Sequence, residues 1–131
     1  MIRTVIAVVD DMFFVSKIRA TGKALGMIVK FPRTLDAFWD TVNDETPNLI
    51  LVDLHNSKVD AIALANELKA NEDLSAVPLL GFFSHVQADL QRRAADAGYD
   101  EVLPRSLFAR DLAHILAGQA KGQKGTGRVS E

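Results

Sequence analysis

The sequence predicts an α/β fold: a five-stranded parallel sheet in the order 2-1-3-4-5 with helices on both faces. Three observations predict it. Short apolar runs alternate with segments of helical spacing along the chain. Most of those runs are almost continuously apolar, as strands covered on both faces must be. Two of them end in carboxylate: Val5-Ile6-Ala7-Val8-Val9 runs into Asp10-Asp11, and Leu49-Ile50-Leu51-Val52 into Asp53.

The predicted strands are residues 2–9, 27–31, 48–52, 77–83 and 101–103. Phe14, Ile18 and Leu25 mark the first helix by their spacing, and Leu35, Phe38, Trp39 and Val42 the second. Leu64, Ala65 and Leu68 mark the third, Val86, Leu90, Ala94 and Ala97 the fourth, and Leu112, Ile115 and Leu116 the fifth. Gly26 and Gly98 stand where the first and fourth helices should end in a left-handed cap. Thr34 and Asp60 are the expected N-caps of the second and third. Right-handed crossovers with five strands favour the order above, which makes strands 1 and 3 neighbours at the switch point where ligands bind. Asp10, Asp11 and Asp53 then meet at one rim. Such a cluster repels itself unless protonated or neutralised by a cation, so it is a candidate for Mg²⁺ and phosphate chemistry.

Composition narrows the field. With 131 residues the chain suffices for one domain and not two. A net charge of −2 argues against a nucleic-acid binder. Without cysteine there are no disulfides, thiolate catalysis or cysteine zinc sites. No apolar run approaches the roughly 20 residues of a membrane span, and the short apolar N-terminus that meets Asp10 makes a poor signal peptide. The expectation is a cytoplasmic protein with no membrane contact. Residues 1–117 are read as the domain. Residues 118–131, rich in glycine and lysine without apolar periodicity, are read as a flexible C-terminal tail.

Val8-Val9-Asp10-Asp11, Leu51-Val52-Asp53-Leu54 and Ala97-Gly98-Tyr99-Asp100-Glu101-Val102-Leu103 resemble the receiver domain of two-component response regulators, over about residues 2–117. The resemblance implies the flavodoxin-like receiver fold and a stand-alone signalling module in phosphorelay signal transduction. Asp53 would be the phosphoacceptor. Mg²⁺ would be held by Asp11 directly, Asp10 through water, Asp53, and the backbone carbonyl of His55. The metal would neutralise the incoming phosphoryl charge and hold it in line, since a carboxylate is a weak nucleophile. The implied partners are a histidine kinase or phosphotransfer protein, a downstream protein, and a second copy through the fourth helix, fifth strand and fifth helix. The domain would be no enzyme beyond catalysing its own phosphorylation and dephosphorylation.

The chain departs from the family on the phosphoryl-reading side. The family's lysine falls on Arg105, followed by Ser106 in place of proline, with Pro104 before it. The strand-4 hydroxyl falls by spacing on Phe83, and Ser84 is one residue late. A one-residue shift turns Ser84 to the other face unless the strand bulges, and Gly81 marks the place for such a bulge. His85 stands where a small residue is usual, Val102 where an activation-reporting aromatic is usual, and Asn56-Ser57 where Met-Pro is usual. Ser84 and Arg105 remain the candidate phosphoryl contacts. These departures define an alternative, a phosphorylation-independent pseudo-receiver that acts as a protein–protein interaction scaffold.

Rival readings attach to several residues. Asp10 and Asp11 also suit helix N-capping. Asp53-Leu54-His55 matches the start of a cobalamin-binding Asp-x-His-x-x-Gly element, but the glycine is absent. His55 and His85 could supply imidazole to a transition metal. Phe82, Phe83 and Trp39 read as core or boundary packing, and Asp89, Arg92, Arg93 and Asp96 as a solvated helix face.

Overall fold

In the computed structural model residues 2–84 and 87–118 are described. His85, Val86 and the tail beyond Gly118 lie outside them, so the readings of His85 and of tail residues 119–131 fall there too. The elements follow in strict alternation: β1 (Thr4–Val8), α1 (Met12–Ala24), β2 (Ile28–Lys30), α2 (Leu35–Asp44), β3 (Leu49–Asp53), α3 (Ala61–Ala70), β4 (Leu79–Phe83), α4 (Ala88–Ala97) and β5 (Glu101–Pro104). The fifth helical segment is two short helices, α5 (Arg105–Arg110) and α6 (Leu112–Leu116), where the apolar spacing alone suggested one. The break falls at Asp111, which leaves helical geometry while its carboxylate pairs with Arg110 at 3.0 Å.

The sheet is parallel throughout, in the predicted order β2-β1-β3-β4-β5. Alternation along the buried strands sorts the core into two layers. Ile6, Val8, Ile50, Val52, Leu79 and Phe83 face Phe38, Val42, Leu64, Leu68 and Ala94 of α2, α3 and α4. Val5, Ala7, Leu49, Leu51, Leu80 and Phe82 face Phe14, Ile18, Phe108, Leu112 and Leu116 of α1, α5 and α6. Because β1, β3 and β4 are covered on both faces, every residue in them is buried. Trp39 packs at the boundary of the first layer, edge-on to Phe38 at 5.2 Å.

The local signals act as their chemistry demands. Thr34 accepts the Ala37 amide at 3.0 Å, and Asp60 accepts those of Ile62 and Ala63, so both cap their helices. Gly26 (φ 74°) and Gly98 (φ 120°) take the positive φ that ends α1 and α4. On α4, Asp89 pairs with Arg92 at 2.7 Å on the solvated face.

Gly81 corrects the sequence reading. The ladder runs without interruption from Ile50↔Leu79 to Asp53↔Phe82 and from Leu80↔Glu101 to Phe83↔Pro104, so β4 has no bulge. The residue is glycine because its surroundings leave no room. A Cβ there would stand 2.9 Å from Leu54 Cδ2 and 3.1 Å from the Tyr99 ring. Tyr99 cannot swing clear, because its hydroxyl donates to the Ala61 carbonyl at 2.9 Å.

Candidate functional site

β1 and β3 lie side by side, with Val8 opposite Val52, so the residues that follow each strand leave the sheet at the same rim. Asp53 is the last residue of β3, and Asp10 and Asp11 lie in the turn from β1 into α1. The three carboxylates predicted from sequence therefore converge at the carboxyl ends of adjacent strands, where an open parallel sheet offers its ligand crevice.

Their states differ. Asp53 is 7% exposed. Burial raises its pKa, opposed by the hydrogen bond from the His55 amide at 2.9 Å and by the His55 side chain; the charges of Asp10 and Asp11 raise it further. It is thus a carboxylate kept short of water and close to like charge. Asp11 caps α1: its Oδ1 accepts from the amides of Phe13 at 2.9 Å and Phe14 at 3.3 Å. Both bonds fall on one oxygen, which leaves Oδ2 available. Asp10 accepts from the Ser57 hydroxyl at 3.4 Å. The capping reading and the cluster reading of Asp11 hold together.

The loop after β3 is built by a residue whose role the sequence did not reveal. Asn56 donates from Nδ2 to the Val8 carbonyl at 3.4 Å, while its Oδ1 accepts the amides of Lys58 and Val59. It ties the loop after β3 to the end of β1 and thereby sets the two halves of the acid cluster against each other. An Asn three residues past a strand-end Asp was the available signal.

The residues read as phosphoryl-facing lie at the ends of β4 and β5. Phe83 ends β4 with its side chain in the layer under α2, α3 and α4, 5% exposed. It occupies the hydroxyl's sequence position as core. Ser84 is exposed just past the strand, and with no bulge it does not take over the Phe83 direction. Arg105 opens α5, its guanidinium carbon 4.9 Å above the Phe14 ring. His55 is exposed at the rim, and His114 is exposed on α6.

Among the described residues, no three acidic or imidazole side chains close around one point as a metal cage would. The acidic donors at the rim are oxygens, with the His55 side chain beside Asp53. The carboxylate oxygens fit a hard cation held by few protein ligands with water completing the shell. A cavity of about 110 Å³ lies beside Asp10, lined by Met12, Val15, Arg19 and Phe31. A larger one of about 520 Å³ lies at the opposite end of the sheet, away from the carboxylates, against Leu49, Leu79, Leu103, Leu107 and Ile115. Among the described residues no helix is long and apolar enough to cross a membrane.

Comparison with known proteins follows the geometry. No family model matches the chain. A gliding motility regulatory protein of Myxococcus xanthus is 32% identical over 84 residues, which is 64% of this chain and 11% of that protein. The chain thus spans about a tenth of that relative's length. A CheY-like response regulator receiver domain protein of Methanospirillum hungatei superposes with a TM-score of 0.76 at 15% identity, covering 90% of this chain and 93% of the other. The Mn²⁺-bound form of the response regulator Rcp1 superposes with a TM-score of 0.72 at 21% identity, covering 88% and 90%. The fold is that of the receiver domains of response regulators.

Proposed function

We propose that this domain is a receiver-like signalling module that accepts a phosphoryl group on Asp53 with Mg²⁺ bound at Asp10, Asp11, Asp53 and the carbonyl of His55. The observation that carries the reading is Asp53 itself, a buried carboxylate at the end of β3 whose pKa is raised in part by two neighbouring carboxylates. Helix capping accounts for Asp11 but not for a buried Asp53 beside Asp10. A divalent cation removes their mutual repulsion and draws in a phosphoryl group. Asp11 Oδ2 and Asp53 would ligate directly. Asn56 and Ser57 hold the loop and Asp10 in place from this chain's own side. A bound metal would neutralise the charge of the phosphoryl oxygens; an Asp53 carboxylate oxygen would form the new bond to phosphorus as the bond from phosphorus to the donor's histidine nitrogen, or to the acetate oxygen of acetyl phosphate, breaks in line.

The phosphoryl donor would be a histidine kinase or phosphotransfer protein, and the output would pass to a protein partner or to a second copy through α4, β5 and α5. A second reading is favoured by a specific observation: Phe83 fills the hydroxyl's position as core and Arg105 rests on Phe14. Under it the domain is a phosphorylation-independent scaffold with a fixed conformation.

One experiment separates them. The protein is incubated with Mg²⁺ and acetyl phosphate or beryllofluoride, with Asp53→Asn as control, and followed by intact mass and by the fluorescence of Trp39. A mass gain of one phosphoryl group and a fluorescence response, both absent in Asp53→Asn, support the acceptor. No modification and no Mg²⁺ binding would leave the scaffold.

A further inference from the structure

The guanidinium of Arg105 rests on a built platform. Phe14, 2% exposed, lies 5.1 Å from Phe82 and 5.7 Å from Phe108 by ring centroids. Phe82 and Phe108 stack at 4.2 Å with planes 6° apart. Phe82 is also the ladder partner of Asp53. The aromatic layer therefore reaches the strand beside Asp53 and ends at the ring that carries Arg105. Among the described residues no carboxylate forms an ion pair with this arginine.

We propose that Phe14 is a positioning residue for Arg105: it holds the guanidinium over its ring while Asp53 is unmodified, and releases it to the phosphoryl oxygens when Asp53 is modified. This rests on the acceptor reading above. The direction of exchange follows from the two partners. A ring face attracts the cation through its quadrupole but accepts no directed hydrogen bond. A phosphoryl group offers charge and a pair of oxygens that match the planar fork of arginine. Lysine would make a poorer resident on Phe14, since the flat guanidinium also stacks on the ring. The hold on Phe14 opposes capture, so the affinity of the modified site is lower than the contact alone would give. Its strength corresponds to about a two- to fivefold factor in an equilibrium constant.

The test uses the full chain labelled with ¹⁵N, the Nε–H resonance of Arg105 being assigned from Arg105→Lys. Over a ring face that signal is shifted upfield. On titration with Mg²⁺ and beryllofluoride it should lose the shift as the site fills. A second chain carries 3,4,5-trifluorophenylalanine at position 14, which keeps the shape and weakens the negative ring face. It should bind beryllofluoride about two- to fivefold more tightly. A purely packing role for Phe14 leaves that affinity unchanged. Saturation of the site with Arg105 still upfield, or unaltered affinity in the fluorinated chain, overturns the inference while leaving the acceptor reading intact. Failure of beryllofluoride to bind at any concentration overturns the acceptor reading and the inference with it.

Discussion

Substitution of Gly81 by alanine tests the account of β4, and with it the placement of Phe83 and Ser84 at the site. The added methyl would stand 2.9 Å from Leu54 Cδ2 and 3.1 Å from two carbons of the Tyr99 ring, where ordinary contacts begin near 3.4 Å. Both neighbours are buried, Leu54 8% exposed and Tyr99 6%, and Tyr99 is anchored through its hydroxyl, which is bound to Ala61. Forced overpacking of this kind costs about 1–3 kcal/mol. For a domain of this size that lowers Tm by about 4 °C per kcal/mol. Urea unfolding at fixed m-value measures it directly. A double-mutant cycle with Leu54→Ala, which removes the nearest atom, should recover about 1 kcal/mol relative to the sum of the single changes. Gly81 does not occupy the positive-φ region, so alanine carries no backbone strain there. Without the close contacts, alanine would be neutral or would stabilise by about 0.4–1 kcal/mol through the unfolded chain. A Gly81→Ala chain as stable as the parent, or a cycle with no coupling, would refute the reasoning.

Two further outcomes follow from the acid cluster. Burial raises the folded-state pKa of Asp53 above its ordinary 3.8, so the folded chain binds that proton more tightly than the unfolded chain. The stability linked to it is present in full below the unfolded pKa and is lost as pH rises through the folded pKa. In EDTA, Asp53→Asn should therefore be more stable than the parent at pH 7, with the advantage vanishing below about pH 4; thermal melts across that range check it, and a less stable variant at pH 7 would contradict it. Asp11→Ala should lose about 0.5–2 kcal/mol with the α1 cap and should lose Mg²⁺ affinity, whereas Asp11→Asn should keep most of the stability and lose only the affinity. Urea melts paired with Mg²⁺ titration separate the two roles, and equal Mg²⁺ affinity in Asp11→Asn would remove Asp11 from the metal site.

The order of strands and the convergence of Asp10, Asp11 and Asp53 were legible in the sequence. Continuous apolar runs demand strands covered on both faces, and a charge can sit only where such a strand meets solvent. Caps at Thr34, Asp60, Gly26 and Gly98 were legible for the same reason, since each depends on a residue and its immediate neighbours. What the sequence left open depends on contacts distant along the chain. Gly81 is explained by Leu54 and Tyr99, the loop geometry by Asn56 reaching back to Val8, and the helix break at Asp111 by no periodicity at all.

Local chemistry by itself determined a doubly wound sheet with an acidic rim, because periodicity and strand ends are properties of short segments. Only the tertiary structure decided where the side chains at the ends of β4 and β5 lie. It turned Phe83 into the core and laid Arg105 on Phe14, because the direction of a side chain depends on which strand and helix stand beside it.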